Sequence, residues 1–205
     1  CYTFLQKIEG MEFGEALQHL ADRTGIKLIS YKPTQGEQLK ERLVGINALT
    51  GQVYHWLLTQ KIGKEALEYL KQRGLSDEAI KRFNIGYVPD NWDFMTKFLV
   101  GKKKYSVDDV ARVGLTVKNY DRFRGRIMFP LANARGQVVG FAGRVLDPEA
   151  KEAKYVNTPE TEIYHKSELL YGLDVTRAEI KNAGWAVVVE GEIDAIASWQ
   201  AGVKN

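Results

Sequence analysis

The stretch 126–146, RIMFPLANARGQVVGFAGRVL, decides the architecture of this 205-residue chain. Two runs rich in β-branched and aromatic residues flank a polar turn at Arg135 and Gly136, a pattern that predicts a β-hairpin. Pro130 indicates that the first strand lies at a sheet edge or ends early, because proline donates no backbone hydrogen bond. Gly140 and Gly143 predict a bulge or a close approach of another segment in the second strand.

Helical patterns precede this hairpin. Residues 13–25, FGEALQHLADRTG, carry apolar side chains at helical spacing and end at Gly25. The pattern lapses over residues 30–38, which we interpret as a linker. Further helices follow, one of them opened by Ser76 as its N-cap. The sequence therefore predicts an α+β fold, with a helix-rich subdomain that carries a small antiparallel sheet.

The end of the chain has a different character. Residues 185–202, WAVVVEGEIDAIASWQAG, predict a buried parallel strand, a tight turn at Gly191 and a helix, which is the start of an α/β unit. Ligands of open α/β sheets bind at the carboxyl ends of strands, where Glu190 falls. A hard ion such as Mg²⁺ is held by one or two carboxylates and completes its shell with phosphate oxygens and water. Glu190 is therefore a candidate metal ligand, whereas Asp194 equally fits a helix N-cap and Glu192 a solvent-facing turn position.

Positive charge is concentrated in residues 118–166. This segment has nine Lys and Arg and six Asp and Glu, so its net charge of +3 equals that of the whole chain. Arg122, Arg124 and Arg126 alternate, so in an extended strand they project on one side at about the spacing of consecutive phosphates. Arg144 on the returning strand would join them. The same alternation also fits a solvated polar face of a sheet.

A second basic segment is KYVNTPETEIYHK, residues 154–166. Lys154 and Lys166 supply charges for phosphates, Tyr155 can stack on a base, and Asn157 offers a donor and an acceptor. A nucleoside triphosphate is one ligand for such a loop. The alternative is a polar loop whose side chains satisfy local backbone groups.

Several classes of protein are disfavoured by composition. No apolar run is long enough for a bilayer, and the first residues lack the order of a signal peptide, so a cytoplasmic protein is expected. The single cysteine, Cys1, excludes an internal disulfide framework. It supplies at most one of the ligands of a structural zinc, and is otherwise an inert thiol.

Long motifs of the chain resemble successive signatures of bacterial DnaG-type DNA primases. They are YDRFRGRIMFPLANARGQVVGFAGRVL at 120–146, KYVNTPETEIYHKSELLYGL at 154–173 and VVVEGEIDAIASWQAG at 187–202. ALEYLKQRGLSDEAIKRFNIGYVP at 66–89 resembles the helical segment upstream, and residues 2–26 resemble the end of the family's zinc-binding domain.

This resemblance implies an enzyme that makes short RNA primers on single-stranded DNA from nucleoside triphosphates, using Mg²⁺ or Mn²⁺ in a TOPRIM fold. Glu190 and Asp194 match the first acidic positions of TOPRIM, and the glutamate is a metal ligand or general base in that family. Arg124 and Arg126 match the basic motif. The incoming-nucleotide loop is matched by Lys154, Tyr155, Asn157 and Lys166. A replicative helicase would bind through a C-terminal domain absent here, at cytoplasmic replication forks.

The resemblance also implies a domain division. Residues 1–29 would be the tail of the zinc-binding domain, with Cys1 as a possible Zn²⁺ ligand, 30–38 a linker, 39–183 the basic subdomain and 184–205 an incomplete TOPRIM start. The chain departs from the family at Ala142, where FGGR is usual, and at Glu192, where an aromatic residue is usual. The rest of the acidic site, an Asp-x-Asp pair, is expected on a later strand. Rival hypotheses are a non-catalytic single-strand-binding module and another TOPRIM enzyme, such as a primase-helicase or a topoisomerase.

Overall fold

The computed structural model describes residues 2–8, 13–26, 33–147, 149 and 152–205. The chain divides into two compact units, Cys1–Gln38 and Leu39–Asn205. No helix within these described ranges is long and apolar enough to cross a membrane.

The first unit contains α1 (Tyr2–Ile8) and α2 (Phe13–Thr24). The predicted end of α2 is confirmed, since Gly25 adopts a positive φ of 69° that few other residues tolerate. The rings of Tyr2 and Phe13 meet edge to face at 5.2 Å, which ties the two helices together. The candidate zinc ligand Cys1 lies outside the described residues.

Helix α3 (Gln35–Thr59) corrects the predicted linker, because its first turn occupies residues that the linker was expected to contain. Thr34 and Glu37 form a reciprocal cap: the Glu37 amide donates to Thr34 Oγ1 at 3.3 Å, and the Thr34 amide donates to Glu37 Oε2 at 2.8 Å. This pair satisfies free amides at the helix start. Residues 30–32 of the predicted linker lie outside the described residues.

Short helices follow: α4 (Lys64–Gln72), α5 (Asp77–Arg82), α6 (Phe94–Thr96), which continues as a π-helical turn over Lys97–Lys102, and α7 (Val107–Arg112). The predicted N-cap is confirmed, since Ser76 Oγ accepts a hydrogen bond from the Ala79 amide at 3.2 Å. Ser106 caps α7 in the same way. Capping residues at these positions explain where each helix begins.

The predicted hairpin is confirmed and forms the centre of a four-stranded antiparallel sheet. The sheet contains β1 (Gly86–Val88), β4 (Arg126–Ala132), β5 (Val138–Val145) and β6 (Tyr155–Asn157), in the order β1-β4-β5-β6. A separate small hairpin is formed by β2 (Thr116–Val117) and β3 (Tyr120–Asp121). The expected mixture of helices and antiparallel strands is therefore the observed fold.

Pro130 was expected to mark an edge strand or the early end of a strand, but β4 is central and runs through it to Ala132. The reason is that β1 pairs only with Arg126–Met128. Pro130 therefore has only one neighbouring strand, β5, where it pairs with Phe141. On its other side no strand needs a hydrogen bond from residue 130, so the lack of an amide proton costs little stability. The register shifts after Leu131, where the strand bulges.

Both faces of the sheet are buried under helices. On one face, Ile127, Phe129 and Leu131 pack with residues of α4, α5 and the terminal helix α9 (Glu192–Gln200). On the other face, Met128 and Phe141 pack with residues of α3, α7 and the π-helical turn. Successive side chains of β4 thus point alternately into two apolar clusters. A shift by one residue would exchange the two sets, so this burial fixes the register of the hairpin.

The predicted close approaches at Gly140 and Gly143 are confirmed. A Cβ on Gly140 would lie 3.1 Å from Thr158 Cβ, and one on Gly143 would lie 2.9 Å from the Phe123 ring. Glycine at these two positions therefore lets neighbouring segments pack directly on β5.

The chain ends with α8 (Leu173–Ala183) and α9 (Glu192–Gln200), which confirms the predicted terminal helix. The preceding run does not form the predicted buried strand: Trp185 is 60% exposed and Val188 is 78% exposed. A strand buried on both faces needs neighbours on both edges. Among the described residues, only Asn205 lies alongside, accepting a hydrogen bond from the Val187 amide at 3.1 Å.

Candidate nucleotide and nucleic-acid site

The basic loop 154–166 is fixed to the sheet at its start. Strand β6 pairs Tyr155 with Arg144 and Asn157 with Ala142, so Tyr155 and Asn157 share one face of the sheet with Arg144. Thr158 locks the exit from β6, because its Oγ1 accepts from the Phe141 amide and its own amide donates to the Phe141 carbonyl, both at 2.9 Å. The loop therefore leaves the sheet in a set direction.

The far end of the loop is held by local hydrogen bonds. Glu160 accepts from the backbone amide of Lys166 at 2.9 Å and contacts His165 Nδ1 at 3.0 Å. These two partners, the backbone amide first, lower the pKa of Glu160. Thr161 Oγ1 accepts from the Tyr164 amide at 3.0 Å. The backbone of Lys166 is thus positioned while its side chain stays exposed.

A cavity of about 340 Å³ lies between this loop, α8 and the segment before α9. Asn157 and Lys166 line it together with Glu190, so three residues singled out in separate sequence motifs face one space. Its apolar wall includes Phe83, Leu131 and Val189. A mostly apolar cavity with a few polar groups, at the lower end of the usual range of about 300–1,000 Å³, is typical of small-ligand sites.

The charges around this cavity are of both signs. Lys166 and Glu190 form no ion pair with any residue that the structure describes, so both are open to a ligand. Glu192 also lines the cavity, contrary to the expectation that it faces only solvent. Burial, and to a lesser degree the carboxylates of Glu160 and Glu192, raise the pKa of Tyr164 on the cavity wall.

The carboxylates of the terminal segment partly fit a metal ion. Asp194 lies in the first turn of α9 and is exposed, and it is not the N-cap, which is Gly191. It does not belong to the described lining of the cavity. Within the described ranges no group of three or more His, Cys, Asp or Glu side chains could hold a metal. Glu190 and Glu192 therefore suit a Mg²⁺ ion that takes most of its ligands from phosphate oxygens and water.

The three arginines of the basic motif do not share one strand face as predicted. Gly125 has a positive φ of 57°, which breaks the extended run before β4 begins at Arg126. Arg126 is only 2% exposed, and its Nη2 pairs with Glu152 Oε2 at 3.0 Å. Its Nη1 donates to the Ala153 carbonyl at 2.9 Å. In this structure Arg126 is occupied in holding the segment before β6, which leaves it unavailable to a phosphate.

Arg122 and Arg124 have different surroundings. Arg122 Nε donates to the Gly114 carbonyl at 3.0 Å, and burial lowers the pKa of its guanidinium. The Arg124 guanidinium lies 3.8 Å from the centre of the Trp92 ring and 5.2 Å from that of Tyr120. Its Nη2 contacts Glu152 at 3.2 Å, whereas its Nη1 is buried with no hydrogen-bond partner among the described residues.

Arg144 lies between two tyrosines. Its guanidinium is 4.6 Å from the centre of the Tyr69 ring and 5.9 Å from that of Tyr155. Both Nε and Nη1 are buried without a hydrogen-bond partner in the described part of the chain. Stacking of this kind holds the planar cation in a fixed orientation.

Sequence reasoning missed the aromatic partners of these cations. Trp92 lies in the bend before α6 and Tyr69 in α4, and neither carried a reactive pattern. Only the fold brings their rings to Arg124 and Arg144. Trp92 is 63% exposed despite its size, which distinguishes it from a core residue. Each of these cation and aromatic pairs offers groups suited to phosphates and bases.

The fold and the site define an α+β domain in which a basic loop and a carboxylate segment share one cavity. The family described as "DNA primase catalytic core, N-terminal domain" matches residues 53–177, and the chain belongs to this family. The DNA primase of Deinococcus radiodurans is 42% identical over 207 residues, which cover 98% of this chain and 34% of that protein. The chain therefore spans about a third of the length of such curated relatives.

Solved structures are similar in the same way. The RNA polymerase domain of Mycobacterium tuberculosis primase DnaG, in complex with a double-stranded DNA oligomer with a 6-nucleotide overhang, is 36% identical with a TM-score of 0.75. That match covers 80% of this chain and 52% of the solved chain. The Aquifex aeolicus primase structure, with zinc-binding and RNA polymerase domains, is 29% identical with a TM-score of 0.70, covering 100% of this chain and 49% of that one.

Proposed function

We propose that this chain is part of a DNA primase, which synthesises short RNA primers on single-stranded DNA from nucleoside triphosphates. The observation that carries the proposal is the shared cavity, where Asn157, Lys166 and Glu190 face one space. Family membership supports the reaction class. A neighbour in complex with a DNA oligomer that has a single-stranded overhang supports the polymer on which it acts.

In this proposal Lys166 and Asn157 bind the incoming nucleotide. The Lys166 ammonium offers a point charge to the phosphates, and the Asn157 amide offers a donor and an acceptor to sugar or base. Lys154 and Tyr155 lie outside the described lining of the cavity. We assign them to the adjoining primer or template, because Tyr155 is 44% exposed beside Arg144.

Single-stranded DNA would lie along the cationic surface formed by Arg124 and Arg144 with Trp92 and Tyr155. Stacked guanidinium groups suit phosphate oxygens, and exposed rings suit bases. Arg122 supports this surface through its contact with Gly114. Arg126 supports it by fixing Glu152, which also contacts Arg124.

Mg²⁺ or Mn²⁺ would be held through Glu190, with Asp194, in the first turn of α9, as the second candidate ligand. Such an ion, when bound, neutralises charge on the transferred and leaving oxygens during an in-line attack on the α-phosphate. The chain's own residues orient the triphosphate through Lys166. Glu192, which lines the same cavity, adds negative charge that favours cation binding.

Other partners follow from the same proposal. Zn²⁺ would belong to the preceding domain of the family, with Cys1 as a candidate ligand. The replicative helicase would bind a C-terminal region of the relatives that this chain does not span, in the cytoplasm at the replication fork.

Primer synthesis by the full-length gene product tests the proposal, using a single-stranded template, ribonucleotides and Mg²⁺. Lys166→Ala and Glu190→Gln are expected to reduce primer yield at least tenfold, because each removes a charge that meets the triphosphate or its metal. Arg135→Gln, in the hairpin turn away from the cavity, is the control. Normal primer yield from Glu190→Gln would remove the metal role assigned here.

A non-catalytic single-strand-binding module is the second candidate. It is favoured by the lack of a three-ligand metal group within the described ranges. Salt-dependent binding of single-stranded DNA, with no Mg²⁺-dependent binding of nucleotide by the full-length protein, would support this candidate against the first.

A further inference from the structure

Asp121, the last residue of β3, is a buried acidic residue that caps a helix from another part of the chain. It is only 2% exposed. Its Oδ2 accepts a hydrogen bond from the Met95 amide at 2.6 Å, and its Oδ1 accepts from the Thr96 amide at 3.1 Å and from Thr96 Oγ1 at 2.5 Å. These are the second and third amides of α6, which an N-cap side chain normally satisfies.

The residue at the start of α6 does not supply this cap. Asp93 occupies the N-cap position, where its side chain makes no cap hydrogen bond to this described helix and pairs instead with Lys97 Nζ at 2.9 Å. Burial, the largest cause, raises the pKa of Asp121, whereas the hydrogen bonds from Thr96 and Met95 lower it. The contact therefore serves both sides, because the free amides gain an acceptor and the buried carboxyl gains donors in place of water.

Asp121 also holds the turn that presents Trp92. The Asp121 amide donates to the Trp92 carbonyl at 2.7 Å, so residues 92–96 are bound to β3 at both ends by one residue. The neighbouring Tyr120 ring meets the Trp92 ring edge to face at 5.2 Å. Because Trp92 is 63% exposed, core packing constrains it little, and its place against the Arg124 guanidinium depends on these contacts.

We propose that Asp121 is a positioning residue for single-stranded DNA: by binding residues 92–96 to β3, it keeps the Trp92 ring on Arg124 and available for stacking with a base. The inference rests on the proposed function, since it takes single-stranded DNA as the partner of Trp92. It deepens that function, because a buried residue that does not touch the strand sets the geometry of an exposed one that does. Without the carboxylate, two helix-start amides lose their acceptor and the turn that carries Trp92 opens more easily.

Two measurements on the full-length gene product test this role. Asp121→Asn replaces one acceptor oxygen by a donor NH₂ group, which cannot pair with a backbone amide. We expect hydrogen exchange over residues 94–97 to be about tenfold faster or more in this variant. We expect its affinity for a labelled single-stranded oligonucleotide, measured by fluorescence anisotropy, to fall about three- to tenfold, as for Trp92→Ala.

A double variant separates positioning from a general loss of stability. In the Trp92→Ala background, Asp121→Asn should weaken DNA binding by no more than about twofold further, because the ring that Asp121 positions is already gone. Asp109→Asn is the matched control, since Asp109 is also buried, at 6% exposed, but accepts from Arg42. It should lower stability and leave DNA affinity unchanged.

Each outcome decides between the role of Asp121 and the proposed function. Equal weakening by Asp121→Asn in the wild-type and Trp92→Ala backgrounds would refute the positioning role, as would unchanged DNA affinity of Asp121→Asn where Trp92→Ala binds weakly. If the wild type binds no single-stranded DNA, or if Trp92→Ala binds it normally, the surface assigned to the strand is wrong and this inference fails with it.

Thr96→Val replaces Asp121→Asn if that variant does not fold. It removes only the Oγ1 donor to Asp121 and keeps both amide contacts. It should weaken DNA binding about two- to threefold, and only where Trp92 is present. The same weakening without Trp92 would again refute the positioning role.

Discussion

The guanidinium of Arg126 pairs with the carboxylate of Glu152 at 3.0 Å, and the two side chains differ sharply in burial, at 2% and 51% exposed. Arg126 also donates to backbone carbonyls of the segment before β6, including that of Ala153. Glu152 in turn contacts Arg124. One carboxylate thus joins the buried Arg126 to the largely buried Arg124, whose side chain is 14% exposed.

Arg126→Met is expected to destabilise the fold by about 2–4 kcal/mol, because it leaves buried carbonyls without donors. Urea unfolding measures the loss. Glu152→Gln should cost less than about 1 kcal/mol, since its side chain is half exposed and keeps a hydrogen-bonding oxygen. Equal stability of Arg126→Met and wild type would contradict the structural role.

Trp92→Ala is expected to weaken binding of single-stranded DNA about three- to tenfold while leaving the fold largely intact. The reason is that Trp92 is 63% exposed and holds the Arg124 guanidinium 3.8 Å from its ring centre. Fluorescence anisotropy with a labelled oligonucleotide measures the affinity. Arg124→Lys should resemble Trp92→Ala, because it keeps the charge and loses the stacking.

Trp56→Ala is the matched control for this experiment, because Trp56 is similarly exposed, at 58%, but is not among the rings on which Arg124 and Arg144 stack in the described part of the chain. Its DNA affinity should equal that of the wild type. Equal losses in both tryptophan variants would show that Trp92 has no specific part in binding.

Gly114→Ala is expected to be strongly destabilising and to displace the basic loop. Gly114 has a positive φ of 73°, and an added Cβ would lie 2.6 Å from Pro159 Cδ. Gly136→Ala is a control for backbone strain alone, since Gly136 has a φ of 77° and nothing within 4 Å. The positive φ makes an alanine cost about 1–2 kcal/mol in both variants, and only Gly114→Ala adds the steric clash with Pro159. Thermal unfolding that ranks the two equally would contradict the packing of Pro159 on this turn.

Stability should depend on pH through Asp109. The hydrogen bond from Arg42, at 2.7 Å, is the main cause that lowers the pKa of Asp109 in the folded protein. A carboxyl with a lowered folded-state pKa stabilises the fold above its ordinary value near 3.8, and this contribution is lost as the pH falls through the folded pKa. Arg42→Gln should therefore be destabilised by about 1–2 kcal/mol at pH 7, and the difference from the wild type should shrink as the pH falls through the folded pKa of Asp109. A stability difference that persists unchanged at low pH would assign the effect to packing.

The sequence predicted local structure better than long-range pairing. The hairpin, the Ser76 cap and the glycine-limited helix ends depend on nearby residues, and each is confirmed. The arginine alternation was misread because Gly125 turns the chain with a positive φ, and this breaks the period of two. The run before Glu190 was expected to be buried, but burial depends on neighbouring strands that a local pattern cannot supply.

The candidate site was predicted in part for the same reason. Asn157, Lys166 and Glu190 belong to motifs with recognisable chemistry, and the structure places them around one cavity. Trp92 carries no chemical pattern in the sequence. Its significance comes from the Arg124 guanidinium stacked on its ring, a relationship that only the tertiary structure creates.

The central claim is that Lys166 and Glu190 act on one nucleotide in one cavity, and the dependence of ATP binding on Mn²⁺ tests it most directly. In the full-length gene product, Mn²⁺ should strengthen ATP binding by the wild type. Lys166→Ala should weaken ATP binding with and without Mn²⁺, whereas Glu190→Gln should remove only the strengthening by Mn²⁺. Undiminished strengthening by Mn²⁺ in Glu190→Gln would contradict the account.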